Sequence, residues 1–392
     1  MRNTNRKSIA LRDVLGSALI VAGVAGLFIQ SSTGHAWPRA LPSQGAAASP
    51  GQPRIENAKL ETHALSGSLE AAIREFAAQA DSPLWLGYTV DQIAGDGSSC
   101  CGNSSGDGQA CGTCRLEKEN GASINSRSDA SGSGTISLEG PRRLAVLYRL
   151  AEKRVSRIRI ASPECTLDAG GLRFIWLAGV KPAESIAVLS GYVETRGFSE
   201  RSDHHLGNEA LTAIALHADP SSDRALEDFV SPQQPEHLRR QTAFWLGAAR
   251  GKAGLSLLER MAKDDPSPEV RSQVAFALSV SKEPAALEDM IRMAHGDTSA
   301  HVRGQALFWL AQKASEKAAG TITGAIENDP DTQVKRQAVF ALSQLPKDEG
   351  VPRLIAVAEN NRNPEVRKQA MFWLGQSNDP RALDFFAKIL GH

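Results

Sequence analysis

Asp265-Pro266-Ser267-Pro268-Glu269-Val270-Arg271, followed after Ser272 by Gln273-Val274-Ala275-Phe276-Ala277-Leu278, orders the second half of this chain. Gln273 has counterparts at Gln241, Gln305, Gln337 and Gln369, each 32 residues from the next. Three residues on stand Phe244, Phe276, Phe308, Phe340 and Phe372, and five on stand Leu246, Leu278, Leu310, Leu342 and Leu374. Two residues before it the pattern reads Arg239, Arg271, Arg303, Lys335 and Arg367. A constant period of this size is the mark of a solenoid, in which each unit buries its apolar face against the next. Every unit has room for two helices, the first opening after the Asp/Pro turn, as at Pro268–Val280. Leu226 begins a second column, continued by Leu258, Met290, Ile322, Leu354 and Phe386. It adds a degenerate unit over about 206–231, so helix pairs are expected to fill 206–392.

The Asp-Pro-Ser-Pro-Glu-Val-Arg signature resembles HEAT repeats, of the short kind found in phycobilisome lyases and many bacterial proteins. The resemblance implies a mainly α chain: a C-terminal α-solenoid of HEAT-like helix pairs after a small α+β domain. It also implies a structural ladder built from Asp265/Arg271, Asp297/Arg303, Asp329/Lys335 and Asn361/Arg367, the last without the carboxylate. Such a fold is weakly specific for function. Deoxyhypusine hydroxylase, a HEAT-like enzyme, uses His-Glu pairs as iron ligands; here Glu236-His237 is reversed and single. Bilin lyases share the repeat, and no bilin site is marked. No nucleophile elbow, Walker loop, Rossmann glycines or zincin motif is present, so no catalytic residue, resident metal or cofactor is expected.

Helical spacing assigns faces. With Leu238 as reference, Thr242, Trp245 and Ala249 lie within about 40° and Leu246 near 80°, and together they form the expected packed face. Phe244 lies about 120° away, where the Phe column reads as packing between repeats; an exposed aromatic ladder for ligands is the sharper reading. Trp alternates with Ala beside it: Trp245, Ala277, Trp309, Ala341, Trp373. The remaining stripe holds Arg240, Ser272, Gly304, Arg336 and Lys368, flanked by Gly247, Ser279, Ala311, Ser343 and Gly375. It is expected to form a shallow groove whose cations Arg240, Arg336 and Lys368 bind an acidic or extended segment of another protein.

The first half carries a different signal. Residues 37–54 are rich in Pro, Ala, Gly and Ser and read as a disordered linker. Over 55–200 the expected order is a helix at Leu69–Ala80, a strand at Leu84–Val90 and a Gly/Ser-rich loop at 95–134. A strand at Thr135–Leu138, a helix from Pro141 to Arg154, strands at Val155–Ile160 and Leu172–Leu177 and a helix from Pro182 complete it. The segment from Leu69 to Tyr88 resembles the short N-terminal domain of secretins and TonB-dependent receptors, without a specific motif.

Cys100, Cys101, Cys111 and Cys114 crowd the loop, and Cys165 follows later. Disulfides are the expected state outside the cytoplasm. Zinc held by the four loop cysteines, or a redox Cys111-Gly112-Thr113-Cys114, are the alternatives, although no helix follows the pair to lower a thiolate pKa. Asp203, His204, His205, His217 and Asp219 could offer metal ligands, but adjacent histidines on a helix point apart.

Export is expected from Arg2, Arg6, Lys7 and Arg12 ahead of an uncharged run from Val14 to Ile29, with Gly34-His35-Ala36 as a cleavage site. That places the protein in the periplasm or outside the cell, or on the inner membrane if the signal anchors it. The composition is ordinary for globular chains, 41% hydrophobic and 22% charged, and the formal net charge is zero, giving no electrostatic case for nucleic acid. The reading is an exported, non-enzymatic scaffold for a protein partner, with no membrane contact beyond the signal. Its alternatives are a redox or metal-handling protein built on the Cys loop, or a HEAT-like oxidoreductase, disfavoured by the missing His-Glu pairs.

Overall fold

Leu144-Ala145-Val146-Leu147-Tyr148 is apolar on both sides of an alternating chain, and it lies inside a sheet. The structure, a computed structural model, describes residues 51–93, 98–100, 103–105, 113–117, 142–196, 206–313 and 315–391. The export signal, most of the linker and the loop, Thr135–Leu138 and Asp203-His204-His205 lie outside the described residues.

The first elements are β1 (Ile55–Glu56), β2 (Lys59–Ala64), α1 (Leu69–Ala78) and β3 (Leu84–Asp91). They are followed by β4 (Ser98–Cys100), β5 (Asn103–Ser105), β6 (Thr113–Arg115) and β7 (Arg143–Ala151). Then come β8 (Arg154–Ala161), β9 (Thr166–Asp168), β10 (Arg173–Ala178) and α2 (Pro182–Arg196). A five-stranded sheet runs in the order β2-β10-β3-β7-β8. Its β2, β10 and β3 are parallel, while β7 is antiparallel to both neighbours. Strands β1, β9 and β6 form a small parallel sheet, and β4 pairs with β5.

The helix expected from Pro141 is strand β7. Its Leu144, Val146, Tyr148 and Leu150 enter one core, and Ala145 and Leu147 enter another with Trp85, Phe174 and Trp176. A strand buried on both faces is a continuous apolar run, which periodicity alone cannot separate from a buried helix. Strands β1 and β2 are not in the expected order: β1 is two residues long, and in Lys59–Ala64 only Leu60 and Ala64 are apolar and nearly the whole length is exposed.

The second half is α3 (Leu206–Leu216), α4 (Ser221–Phe229), α5 (Glu236–Ala249), α6 (Gly251–Asp264), α7 (Pro268–Val280) and α8 (Ala286–Gly296). It continues through α9 (Ala300–Ala311), α10 (Glu316–Asn328), α11 (Thr332–Ser343), α12 (Lys347–Asn360), α13 (Pro364–Gln376) and α14 (Pro380–Leu390). Helices α5, α7, α9, α11 and α13 pack side by side in one layer, while α6, α8, α10, α12 and α14 meet one another only loosely. A double layer packed tighter on one side curves toward that side, so the free face of the first layer is the inner one. One apolar core runs from α1 through the sheet into α14, without a break at the boundary expected near 200.

The repeated turn has a local cause. Asp265 accepts a bond from the Ser267 amide, and Ser267 Oγ caps α7 by accepting from Val270, with Pro268 in the first helical turn. Asp297, Asp329 and Asn361 accept from the amide two residues on in the same way.

Those carboxylates are also gripped from the preceding repeat. Arg239 donates to Asp265 at 2.8 and 3.1 Å, Arg271 to Asp297 at 2.8 and 2.9 Å, and Arg303 to Asp329 at 2.7 and 2.9 Å. The arginine six residues after Asp265 and after Asp297 reaches only the main-chain carbonyl of that Asp, Arg271 to Asp265 and Arg303 to Asp297, both at 2.9 Å. Each Asp thus closes its own turn and the joint between two repeats. The bidentate joints stop at Asp329: Lys335 donates to the Glu327 carbonyl, and Arg367 to the carbonyls of Asn361 and Arg362.

Removing one partner of a buried pair strands the other charge. Arg271→Ala is expected to lower unfolding free energy by about 3 kcal/mol. Lys335→Ala, which breaks no ion pair, should cost under about 1 kcal/mol. Urea denaturation followed by far-UV circular dichroism measures both, and equal losses would show that the bidentate joints carry no special weight.

Candidate functional site

Helix α5 buries Leu238, Arg239, Thr242, Ala243, Leu246 and Gly247. That arc covers about half the helix, and its centre lies about 60° from that of the face expected to be packed. The rotation follows from the Arg239–Asp265 pair, which needs Arg239 inside. A Cβ on Gly247 would stand 2.1 Å from the Ala277 carbonyl oxygen, so Gly247 is the point where α5 and α7 touch backbone to backbone. Gly247 and Ala311, expected to flank an open groove, are therefore buried, and the Ser279 hydroxyl is spent on the Phe276 carbonyl.

The rotation brings Phe244, Trp245 and Gln241 to the free side. Rings follow one another without a gap: Trp245 to Phe244 at 5.1 Å, Phe244 to Phe276 at 5.9 Å, Phe276 to Trp309 at 4.6 Å and Trp309 to Phe308 at 4.9 Å. The series continues from Phe308 to Phe340 at 5.8 Å, Phe340 to Trp373 at 4.9 Å and Trp373 to Phe372 at 5.0 Å. Both Phe–Phe steps are stacked, with planes within 13° of parallel, and every ring is at least partly exposed. Trp309 and Trp373 lean on Phe276 and Phe340, in the two repeats where Ala277 and Ala341 occupy the Trp position. The Phe column is thus both packing between repeats and an accessible track. Ring faces are largely spent on each other, which leaves their electropositive edges for a ligand.

Beside the track runs the half-exposed column Gln241, Gln273, Gln305, Gln337 and Gln369. Gln337 Oε1 and Trp373 Nε1 are buried without a hydrogen-bond partner. Arg240, Arg336 and Lys368 are exposed on the outer edge of the same face. Arg336 and Lys368 stand in adjacent repeats, whereas Arg240 is three repeats away; Ser272 and a buried Gly304 lie between. Exposed Glu269 and Glu365 also stand on this face, so the cations do not make a continuous basic strip. The Gln residues were legible as a register but not as a surface, because the buried arc includes Arg239 and Gly247, which no apolar spacing selects.

Among the described residues no three His, Cys, Asp or Glu side chains gather as a metal site. Cys114 and Cys165 are disulfide-bonded and buried in the core between the two sheets. The side chains of Cys100, Cys101 and Cys111 lie outside the described residues.

His217 and Asp219 take separate roles. Asp219 closes the turn before α4 by accepting from the Ser221 amide and hydroxyl. His217 is fully buried, with Nδ1 at 2.6 Å from the Ala213 carbonyl and Nε2 at 2.9 Å from Ser185 Oγ. The carbonyl can only accept, so Nδ1 donates and Nε2 accepts the Ser185 proton. Tyr88 then donates to Ser185 at 2.6 Å, and Tyr148 to Tyr88 at 3.0 Å. This chain ties β3 and β7 to α2 and α3. Burial lowers the His217 pKa to about 4 and raises those of both tyrosines. A serine bonded to a histidine has the form of an activated nucleophile, but Ser185 and His217 are both at 0% exposure and meet no substrate. No local motif in the sequence pointed to this network.

The sequence pattern of HEAT repeats matches residues 224–311 and 321–392. No curated protein matches the chain. Among solved structures, human deoxyhypusine hydroxylase in complex with glycerol is similar at 15% identity over 52% of this chain and 88% of that one, with a TM-score of 0.25. The CpcE–CpcF complex of phycocyanin lyase from Nostoc sp. PCC7120 shares 20% identity over 40% of this chain and 99% of that one, TM-score 0.31. Kap95p bound to RanGDP shares 16% over 50% of this chain and 30% of that one, TM-score 0.33.

The buried histidine makes stability depend on pH. His217 titrates near 4 when folded against an ordinary value of 6.5, so between those values the unfolded chain binds the extra proton. Its contribution is complete above pH 6.5 and is lost as pH falls toward 4, by up to about 3 kcal/mol. The unfolding free energy of the wild type from urea titrations should fall over this window, and that of His217→Gln should fall less by that amount; parallel curves would refute it.

Proposed function

We propose, given that the C-terminal repeats are HEAT repeats, that this chain is an exported, non-enzymatic scaffold whose inner solenoid face binds an extended segment of a partner protein. The observation that supports the reading is the aromatic track with its glutamine column, running unbroken across five helices on the free face. Amide side chains at one per repeat suit the backbone donors and acceptors of an extended chain. Ring edges and amide donors favour carbonyl and carboxylate oxygens, and Arg240, Arg336 and Lys368 add charge of the same preference. The export signal read in the sequence supports a partner outside the cytoplasm.

Affinity capture from the host envelope fraction tests this with two variants checked for equal helicity. Arg240→Glu/Arg336→Glu/Lys368→Glu should lower retention of the captured protein by about tenfold, and Trp309→Ala should lower it as well. A partner held equally by wild type and both variants would remove the inner face from the interaction.

A further inference from the structure

Strand β2 is the open edge of the five-stranded sheet: it pairs with β10 and, among the described residues, with no strand on its other side. The Lys59 and Leu65 amides donate to the Leu172 and Ala178 carbonyls, so the odd-numbered residues direct their backbone groups to β10. Alternation then points the N–H and C=O groups of Leu60, Thr62 and Ala64 outward. An exposed row of this kind is a template for another strand.

We propose that β2 pairs antiparallel with β2 of a second copy, about a two-fold axis at Thr62, to give one sheet continuous across a homodimer. The register follows from the residues. An axis between residues would oppose outward-pointing to inward-pointing groups and form no ladder. An axis at Glu61 would place two carboxylates opposite each other, and one at His63 would place histidine on histidine. With the axis at Thr62, Leu60 faces Ala64 of the second copy, Thr62 faces Thr62, and Glu61 faces His63 on both sides of the axis. Thr–Thr pairs are favourable across strands, and a carboxylate opposite an imidazole can accept its N–H. The other charged groups of that face are Lys59, which ends the strand beyond the paired stretch, and Arg173 of β10, 2.7 Å from Glu61. Leu60, 43% exposed in the single chain, becomes covered by the added strand. The contact is isologous and closes at two copies. It lies on the sheet, away from the inner solenoid face, and does not rest on the partner-binding reading.

Sedimentation velocity of the purified full chain at tens of micromolar tests the proposal. The wild type should sediment as a dimer. Thr62→Pro should sediment as a monomer with unchanged circular dichroism, because the amide it removes points away from β10. A second pair of variants reports register. Cα atoms of a hydrogen-bonded antiparallel pair lie about 5.5 Å apart, within disulfide range. Thr62→Cys should therefore cross-link two chains on a non-reducing gel, above the wild-type background, whereas Leu60→Cys, displaced about 13 Å from its own symmetry mate, should not. A wild type that stays monomeric, a dimer that survives Thr62→Pro, or equal cross-linking by both cysteine variants would overturn it.

Discussion

A bidentate arginine–carboxylate pair between neighbouring repeats is the constraint on which the solenoid depends. Arg239, Arg271 and Arg303 are buried or nearly so, and none could be without a carboxylate to meet it. Because the same Asp also closes the turn before its own helix, one residue sets where a helix starts and how it docks. In α5, α7 and α9 the buried arginine fixes the face that is packed and leaves the aromatic rings on the free one; α11 and α13 keep the same orientation with Lys335 and Arg367 bonded only to carbonyls. Over the first three of its five helices, the accessible aromatic track accompanies a buried charge pair.

What could be read in advance divides along the same line. The repeat, its period and its helix pairs were legible because each column recurs at a fixed spacing and each turn carries its own capping residues. The faces were less so. Counting 100° per residue from Leu238 predicts the packed side well for a helix buried only against one partner. These helices are held on three sides, and the buried arc includes Arg239 and Gly247, which no hydrophobicity pattern selects. In the first half, Leu84–Asp91 and the flanking helices follow their punctuation. Strand β7 was hidden by being apolar on both faces, and β2 by being exposed on both. The residues of the partner-binding reading were visible singly, but their juxtaposition was not.

The sheet and the solenoid are joined by polar as well as apolar contacts. The hydrogen-bond chain from Tyr148 to the Ala213 carbonyl crosses from strand to helix, and every member is satisfied. Arg250 extends the joint by donating to the Ala215 and His217 carbonyls while paired with Asp223. Fully satisfied buried networks of this kind favour one relative placement of the elements they connect.

The track also gives the molecule an optical readout of its own. Of six tryptophans, Trp245, Trp309 and Trp373 lie along the inner face, while Trp85 and Trp176 are sealed between the sheets. Indoles at a surface emit according to the polarity and mobility around them, and sealed ones do not feel that surface. With Trp37, which lies outside the described residues, replaced by Phe, emission from the chain carries two separable signals, one from the inner face and one from the sheet core, without any added label.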